Sequence, residues 1–418
     1  MSQTDERPAN ADPRSTPERA FDWTDPIREL RRLTRPWREG WQRYRNAQLS
    51  DRGFQIRAAR SFLTRPFARR ASRRLFDLTA GFVYSQILSA GVELRLYDRL
   101  AERPRTLGEV CASTGLGEDA ARRLLRASAA LDLVEIDDSD DETLYGLGPL
   151  GAALVANPGA QAMIRHHGAL YDDLRDPVAL LKGETSETAL SRLWPYAAGR
   201  QPEHEGEAAG EAPEFDAAAY TDLMSASQDL VADEVLSSYD FSWAKTMLDI
   251  GGGDGRFLQK VAQRYPAIDL HLFDLPPVAA IARQRLSHAR LGGRITVHEG
   301  DFFETPFPGG YDFVSLVRIL HDHEDDAVVR LLTKIREGLK PGGIVMVAEP
   351  MAGSRHSAPV ADAYFGFYLL AMGRGRARTP KELGRLLNAA GLYRVREIPT
   401  ALPVATRILL GELPRRSV

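Results

Sequence analysis

From Thr246 onward, short apolar runs alternate with stretches whose apolar residues recur every three to four positions. The runs at 246–250, 269–274, 295–299, 313–319, 343–349, 393–398 and 404–410 predict strands, and helices are predicted after most of them. Such alternation predicts an α/β fold, a doubly wound and mostly parallel seven-stranded sheet. Only PTALP separates the last two runs. That is too short for a crossover helix, so these two strands should pair antiparallel. Upstream, LFDLTAGFVYSQILSAGVELRLYDRLA (75–101) has helical spacing. Residues 106–136 read as helix, turn at Gly115-Leu116-Gly117, second helix and short strand, and TLYGLGPLG supplies the returning strand of a wing. Residues 156–235 read as mainly helical, interrupted by a Gly, Pro and Glu-rich loop at 199–215. The expected domains are a disordered N-terminus (1–26), a helical Arg/Trp-rich extension (27–74), a winged-helix module suited to dimerisation (75–155), a helical linker and substrate-lining region (156–240), and the α/β domain (241–418).

Charge and composition narrow the partners. At 418 residues the chain predicts two or three domains, and its net charge of −3 shows no bias toward nucleic acid. Cys111 is the one cysteine, which leaves no disulfide framework or Cys-based metal site and fits a reducing cytosol. No apolar run reaches the roughly 18 residues of a spanning helix, and the polar, acidic first twenty residues do not read as a signal peptide. Residues 27–74 differ from the rest, with fifteen Arg against Glu29, Glu39 and Asp51, and with Trp37 and Trp41 among them just after Trp23. Arginine with tryptophan suits a peripheral contact with an anionic membrane; the alternative is a solvated helical extension. The helix-turn-helix raises DNA binding, but Asp137, Asp138, Asp140, Asp141 and Glu142 at the wing tip would repel phosphates.

The chemistry begins at MLDIGGGDGRFLQKVAQRYP (247–266), a strand, a glycine turn and a helix start. Glycines let the backbone approach a ligand and adopt positive φ. A dinucleotide fingerprint needs glycines at 253 and 256, or at 254 and 257, and these registers meet Arg256, Asp254 and Phe257 instead. Asp254 at the turn mouth disfavours a pyrophosphate and suits an amine-bearing ligand. Asp274 closes the next strand, where an acid can accept from both hydroxyls of a ribose, or else cap the following helix. Asp301 and Phe302 close the third, where a carboxylate and a ring can grip a base. His321 follows the fourth strand and suits a general base near neutral pH. Glu349, at the end of the fifth strand, suits an orienter of its imidazole. The run His321 to Asp326 also raises a metal site, although Asp325 and Asp326 fit a helix N-terminus better, so no metal is expected.

Together LDIGGGDG, FDLP, GDFF, VRILHD and VAEP resemble the class I O-methyltransferase family that includes caffeic acid and acetylserotonin O-methyltransferases, over residues 75–413. The resemblance implies S-adenosylmethionine as cofactor and a homodimer formed through the N-terminal helices. It implies cofactor-binding roles for Asp249, Gly251, Gly253, Asp274, Gly300, Asp301, Phe302 and Arg318, with His321 as base and Glu349 as its orienter. Two positions depart from the plant pattern: Ala377 stands where a second orienting glutamate is usual, and His323 where a tryptophan follows His-Asp. LFDLTAGFVYSQIL, LVRILHDHEDD, DAYFGFYLLAMGRGRART and IPTALPVATRILL further resemble the branch acting on 1-hydroxycarotenoids in purple phototrophic bacteria. That branch implies a lipophilic substrate and an enzyme of the cytoplasm, peripheral to the inner photosynthetic membrane. An aromatic helix at 363–373 is then expected to line the substrate site through Tyr364, Phe367, Tyr368 and Met372. A tetrapyrrole or polyketide hydroxyl is the alternative substrate, and a cofactor-sensing winged-helix regulator the remote alternative.

Overall fold

The computed structural model describes residues 33–139, 141–185, 187–193, 217–353, 359–403 and 406–415. The expected disordered N-terminus, Trp23, Asp140 and the loop at 199–215 lie outside the described residues. The chain divides into two compact units, Met1–Tyr84 and Ser85–Val418, and the division falls within the helix Arg65–Glu93.

The first unit holds the helices Arg35–Ser50 and Arg52–Arg60, in which no residue is buried. Asp51 ends one helix and caps the next, its carboxylate accepting from the Phe54 N–H. Trp37, Trp41 and Tyr44 recur at i, i+4 and i+7, so they share one face of the first helix, and all three are exposed. Arg65–Glu93 is 29 residues long and, by length and composition alone, apolar enough to cross a membrane. No such segment is expected from the sequence, because Asp77, Thr79 and Gln86 interrupt its apolar residues.

The second unit opens with the winged module. Thr106 and Glu109 form a capping box that starts the helix Leu107–Thr114, and Gly115, at φ +74°, ends it. The helix Glu118–Ala129 buries Ala121, Leu125 and Ser128. Strands β2 (Val134–Asp137) and β3 (Leu144–Leu147) pair antiparallel, and β1 (Arg105–Thr106) adds a third strand to the wing.

The main sheet has seven strands: β4 (Thr246–Ile250), β5 (Asp269–Asp274), β6 (Ile295–Glu299), β7 (Tyr311–Val317), β8 (Leu339–Glu349), β9 (Tyr393–Ile398) and β10 (Arg407–Glu412). Their spatial order is β6-β5-β4-β7-β8-β10-β9. The first five run parallel, and β10 is antiparallel to both β8 and β9. Helices cover both faces, so alternate residues of each central strand enter two different cores. Met247 and Phe313 join Phe257, Leu258 and Val261 on one face. Leu248, Ile250, Val314 and Leu316 join Val328, Leu331 and Leu332 on the other. Each such fully buried side chain is worth about 1.5–3 kcal/mol of transfer free energy. All five parallel strands therefore end along one edge, which places the acids and glycines of the sequence motifs side by side.

Candidate active site

An open cavity lies along that edge. The glycine turn forms its floor. Gly251 and Gly253 take φ of +67° and +58°, and a Cβ on Gly251 would sit 2.3 Å from Ile319 Cδ1. The Gly253 N–H donates to Asp274 Oδ2, and the Leu275 N–H to Oδ1, each at 2.8 Å. Asp274 thus braces the turn while lining the cavity. Burial raises its pKa to about 6, against the lowering effect of these two donors.

The remaining cofactor candidates separate. Asp301, Phe302 and Arg318 line the cavity with Gly251, Gly253 and Asp274. Phe302 and Phe303 meet His323 edge-on, at ring centroid distances of 5.5 and 5.2 Å. Lys334 Nζ donates to the carbonyls of Phe302 and Phe303, which fixes their loop. Arg318 leaves β7 at φ +59°, a conformation a non-glycine residue holds only when its surroundings enforce it. Asp249 and Gly300 do not line the cavity. Asp249 is buried beneath the turn, opposite Ser315 in the β4–β7 register, and accepts from Ser315 Oγ at 2.6 Å. Burial lifts its pKa to about 7. Gly300 packs on Thr305, where a side chain would not fit. Asp254 lines the cavity as well. Arg285 Nη1 and Ser225 Oγ both donate to its Oδ2 at 2.7 Å.

His321 lies buried in the short turn after β7 and lines the cavity. The sequence predicts Glu349 on its imidazole, but Glu349 Oε2 accepts instead from the His321 backbone N–H at 3.1 Å. The reason is geometric: β7 and β8 are adjacent, so the end of β8 meets the main chain leaving β7 rather than the ring. Glu349 Oε1 and His321 Nδ1 are both buried without a hydrogen-bond partner. The ring's partner is Asp322, whose Oδ1 is 3.2 Å from Nε2. Burial lowers the His321 pKa, but Asp322 and Glu349 outweigh it and the net shift is upward. The other acids of this cluster are engaged elsewhere: Glu324 accepts from the Gly375 N–H, Asp325 binds Arg376 and Arg378, and Asp326 binds Arg330. Among the described residues no three His, Cys, Asp or Glu side chains are grouped to hold a metal ion.

The aromatic segment is not one helix. A π-helical stretch, Pro359–Phe365, runs into the α-helix Gly366–Met372. Phe365, Tyr368 and Leu369, spaced i, i+3 and i+4, line the cavity, joined by Met163 from the helix Pro158–Asp173. Of the four expected lining residues only Tyr368 does so. Phe367 is 38% exposed, Met372 is buried in a separate core cluster, and Tyr364 bonds His167 at 2.8 Å. Tyr368 in turn bonds His166 at 2.8 Å. Phe365 stacks over His321 with centroids 5.9 Å apart. Sequence reasoning missed Asp322, Met163, Met224, Ser225 and Gln228; the His-Asp adjacency was the available sign for the first, and the others come from helices remote in sequence.

An O-methyltransferase domain matches residues 171–393, and an O-methyltransferase dimerisation domain matches residues 76–157. The chain belongs to the O-methyltransferase family. Demethylspheroidene O-methyltransferase of Cereibacter sphaeroides is 44% identical over 364 residues, which is 87% of this chain and 93% of that protein. The Rhodobacter capsulatus demethylspheroidene O-methyltransferase is 41% identical, across 82% of this chain and 83% of its own. Among solved structures, human N-acetylserotonin methyltransferase in complex with S-adenosylmethionine aligns with a TM-score of 0.64 and 25% identity, over 82% of this chain and 98% of that one. Mitomycin 7-O-methyltransferase aligns at 0.65 and 29% identity, over 83% and 99%. This O-methyltransferase uses S-adenosylmethionine as its cofactor. The cavity fits that molecule: a carboxylate at the end of β5, a glycine turn with no side chain in the way, and a phenylalanine pair beside Asp301. The apolar end of Arg65–Glu93 lies within the dimerisation domain, whereas residues 33–74 precede both matched domains.

Proposed function

We propose that this enzyme methylates the hydroxyl of a 1-hydroxycarotenoid. The observation carrying this reading is His321, buried in the lining of a cavity that Met163, Phe365, Tyr368 and Leu369 also line. The 44% identity to a demethylspheroidene O-methyltransferase supports the same substrate class. Asp274 holds the ribose of the cofactor, Asp301 and Phe302 its adenine, and Gly251, Gly253 and Arg318 its methionyl end. Asp249, Gly300 and Glu349 support these groups from behind. Bound there, S-adenosylmethionine supplies an electrophilic methyl group. The apolar wall sets the lipophilic chain so that its hydroxyl faces His321, and the imidazole accepts the proton as the oxygen becomes an ether. A tertiary alcohol is a poor acid, so alignment supplies much of the rate, up to about 7–11 kcal/mol for well-oriented partners. Turnover of a 1-hydroxycarotenoid in detergent, compared with a hydroxyl-bearing tetrapyrrole and an aromatic polyketide, tests the assignment. The carotenoid should be methylated and the other two should not; the reverse order of rates overturns it.

The same reading places the enzyme as a homodimer at the cytoplasmic face of the inner membrane. Between residues 33 and 74 there are twelve Arg against Glu39 and Asp51, with Trp37 at 74% and Phe62 at 81% exposure. Helices of 16 and 9 residues are too short to span a bilayer, and basic, aromatic helices of that kind lie in its surface. The protein should co-sediment with phosphatidylglycerol vesicles and not with pure phosphatidylcholine, and it should release at about 1 M salt, where the Debye length is near 3 Å. Equal recovery with both vesicle types would remove the electrostatic contact.

A further inference from the structure

We infer that Arg378, with the segment 374–379, is the positioning residue for His321. The inference rests on His321 being the base. Arg378 is fully buried and points at the turn carrying that histidine. Its Nη1 donates to the Leu320 carbonyl at 2.7 Å and its Nη2 to the His323 carbonyl at 2.5 Å. These two carbonyls bracket the three-residue turn Leu320–Asp322. Nε donates to Asp325 Oδ1 at 2.7 Å, so the guanidinium is itself anchored at the start of the next helix. A planar fork with donors fixed in one plane can hold three acceptors at once, and a lysine ammonium cannot reproduce that geometry.

The same segment reaches His321 directly. The Arg376 N–H donates to the His321 carbonyl at 2.9 Å. Gly375 takes φ +72°, and a Cβ there would lie 2.1 Å from the His321 carbonyl oxygen and 2.7 Å from the Asp322 carbonyl carbon. With Glu349 on its N–H, His321 is held at both ends of its main chain, and its ring is steadied by Asp322 and the stacked Phe365. The plant pattern grips the imidazole with two carboxylates. Here the grip is on the backbone, and the ring inherits its place from it. Neither Arg378 nor Gly375 lines the cavity, so both act through the histidine.

The test is Arg378→Lys, with Gly375→Ala as a second variant that disturbs the same turn without touching the buried charge. Both should lower kcat by roughly tenfold to a hundredfold, because misplacing a catalytic group by about 1 Å costs that much. Affinity for S-adenosylmethionine should stay within about twofold of the native enzyme, and the thermal transition should remain cooperative. The acid limb of the kcat–pH profile should move in both variants, since it reports the distance of the imidazole from the charges around it, Asp322, Glu349 and Arg318. Native kcat and pH profile in both variants would overturn the inference. So would a parallel loss of cofactor affinity and turnover, which would mark a purely structural role. If His321→Ala retains activity the base assignment itself has failed; if that variant is inactive while Arg378→Lys and Gly375→Ala are normal, only the positioning role has.

Discussion

His321→Ala should lower kcat by about a hundredfold or more while leaving affinity for S-adenosylmethionine within a factor of two. General-base catalysis typically contributes 10²–10⁴-fold, and the ring lines the cavity together with the glycine turn and the apolar residues Met163, Phe365 and Leu369. Its pH dependence follows from its surroundings. Burial works against the charged imidazole, but Asp322 and Glu349 together outweigh that effect, so the folded protein holds its proton more tightly than free histidine. The base must be neutral, so kcat should rise with pH through a midpoint above the ordinary value of about 6.5. Asp322→Asn should bring that midpoint down. The linkage to stability has the opposite sense. A raised folded-state pKa stabilises the protein below the unfolded value, and that contribution disappears as pH climbs through the folded one. The enzyme should therefore gain activity in the window where it gives up a little stability. A midpoint that ignores Asp322→Asn would show that another group titrates.

Asp274→Asn should show the reverse kinetic pattern. Affinity for S-adenosylmethionine should fall by about 10- to 150-fold, with kcat at saturating cofactor changed by less than a few fold. The carboxylate is asked to do two things: accept the Gly253 and Leu275 N–H groups that shape the turn, and accept from the ligand's ribose. Hydrogen bonds to a charged group are worth about 1.5–3 kcal/mol, which is the predicted loss on conversion to affinity. Burial raises the Asp274 pKa to about 6, so cofactor affinity of the native enzyme should weaken as pH falls through that value and the carboxylate becomes neutral. Isothermal titration of the cofactor between about pH 5 and pH 8 reads both effects. Unchanged affinity in Asp274→Asn would place the ribose elsewhere.

The contrast between these two variants reflects what could be read from the residues. Strands β4, β5, β6 and β9 begin and end where the apolar runs do, because each is a short run closed by a glycine, an acid or a proline. β7 stops at Val317, earlier than its apolar residues suggest, because Arg318 turns to positive φ and lifts Ile319 over Gly251. β8 starts earlier than its run, at Leu339, with a register irregularity opposite Tyr311 and Phe313. Since parallel strands all end on one edge, acids at strand ends locate a site without any knowledge of side-chain direction. That is why Asp274, Asp301 and His321 fall where expected and line one cavity.

Side-chain direction was the illegible part. Glu349 ends the expected strand, yet adjacency of β7 and β8 gives it the His321 main chain rather than the ring. The aromatic segment was legible as helical, but which of its faces meets the cavity was not: Phe365 and Leu369 line it beside Tyr368, and Phe367 and Met372 do not. Met163, Met224 and Gln228 reach the site from helices far away in sequence, and nothing in their local patterns distinguishes them from ordinary helical residues. Arg378 was visible only as part of a motif lacking its glutamate. Its burial and its three acceptors are tertiary facts.

The central claim is that the protein transfers one methyl group to the hydroxyl of a lipophilic carotenoid, with His321 taking the proton. The most direct measurement incubates the purified protein with methyl-labelled S-adenosylmethionine and a 1-hydroxycarotenoid, then locates the label in the extracted pigment by mass spectrometry. The account predicts one labelled methyl per hydroxyl end, present as a methoxy group, in the native enzyme and nearly absent with His321→Ala. Label on carbon, no label in the pigment, or equal labelling by the variant would contradict it.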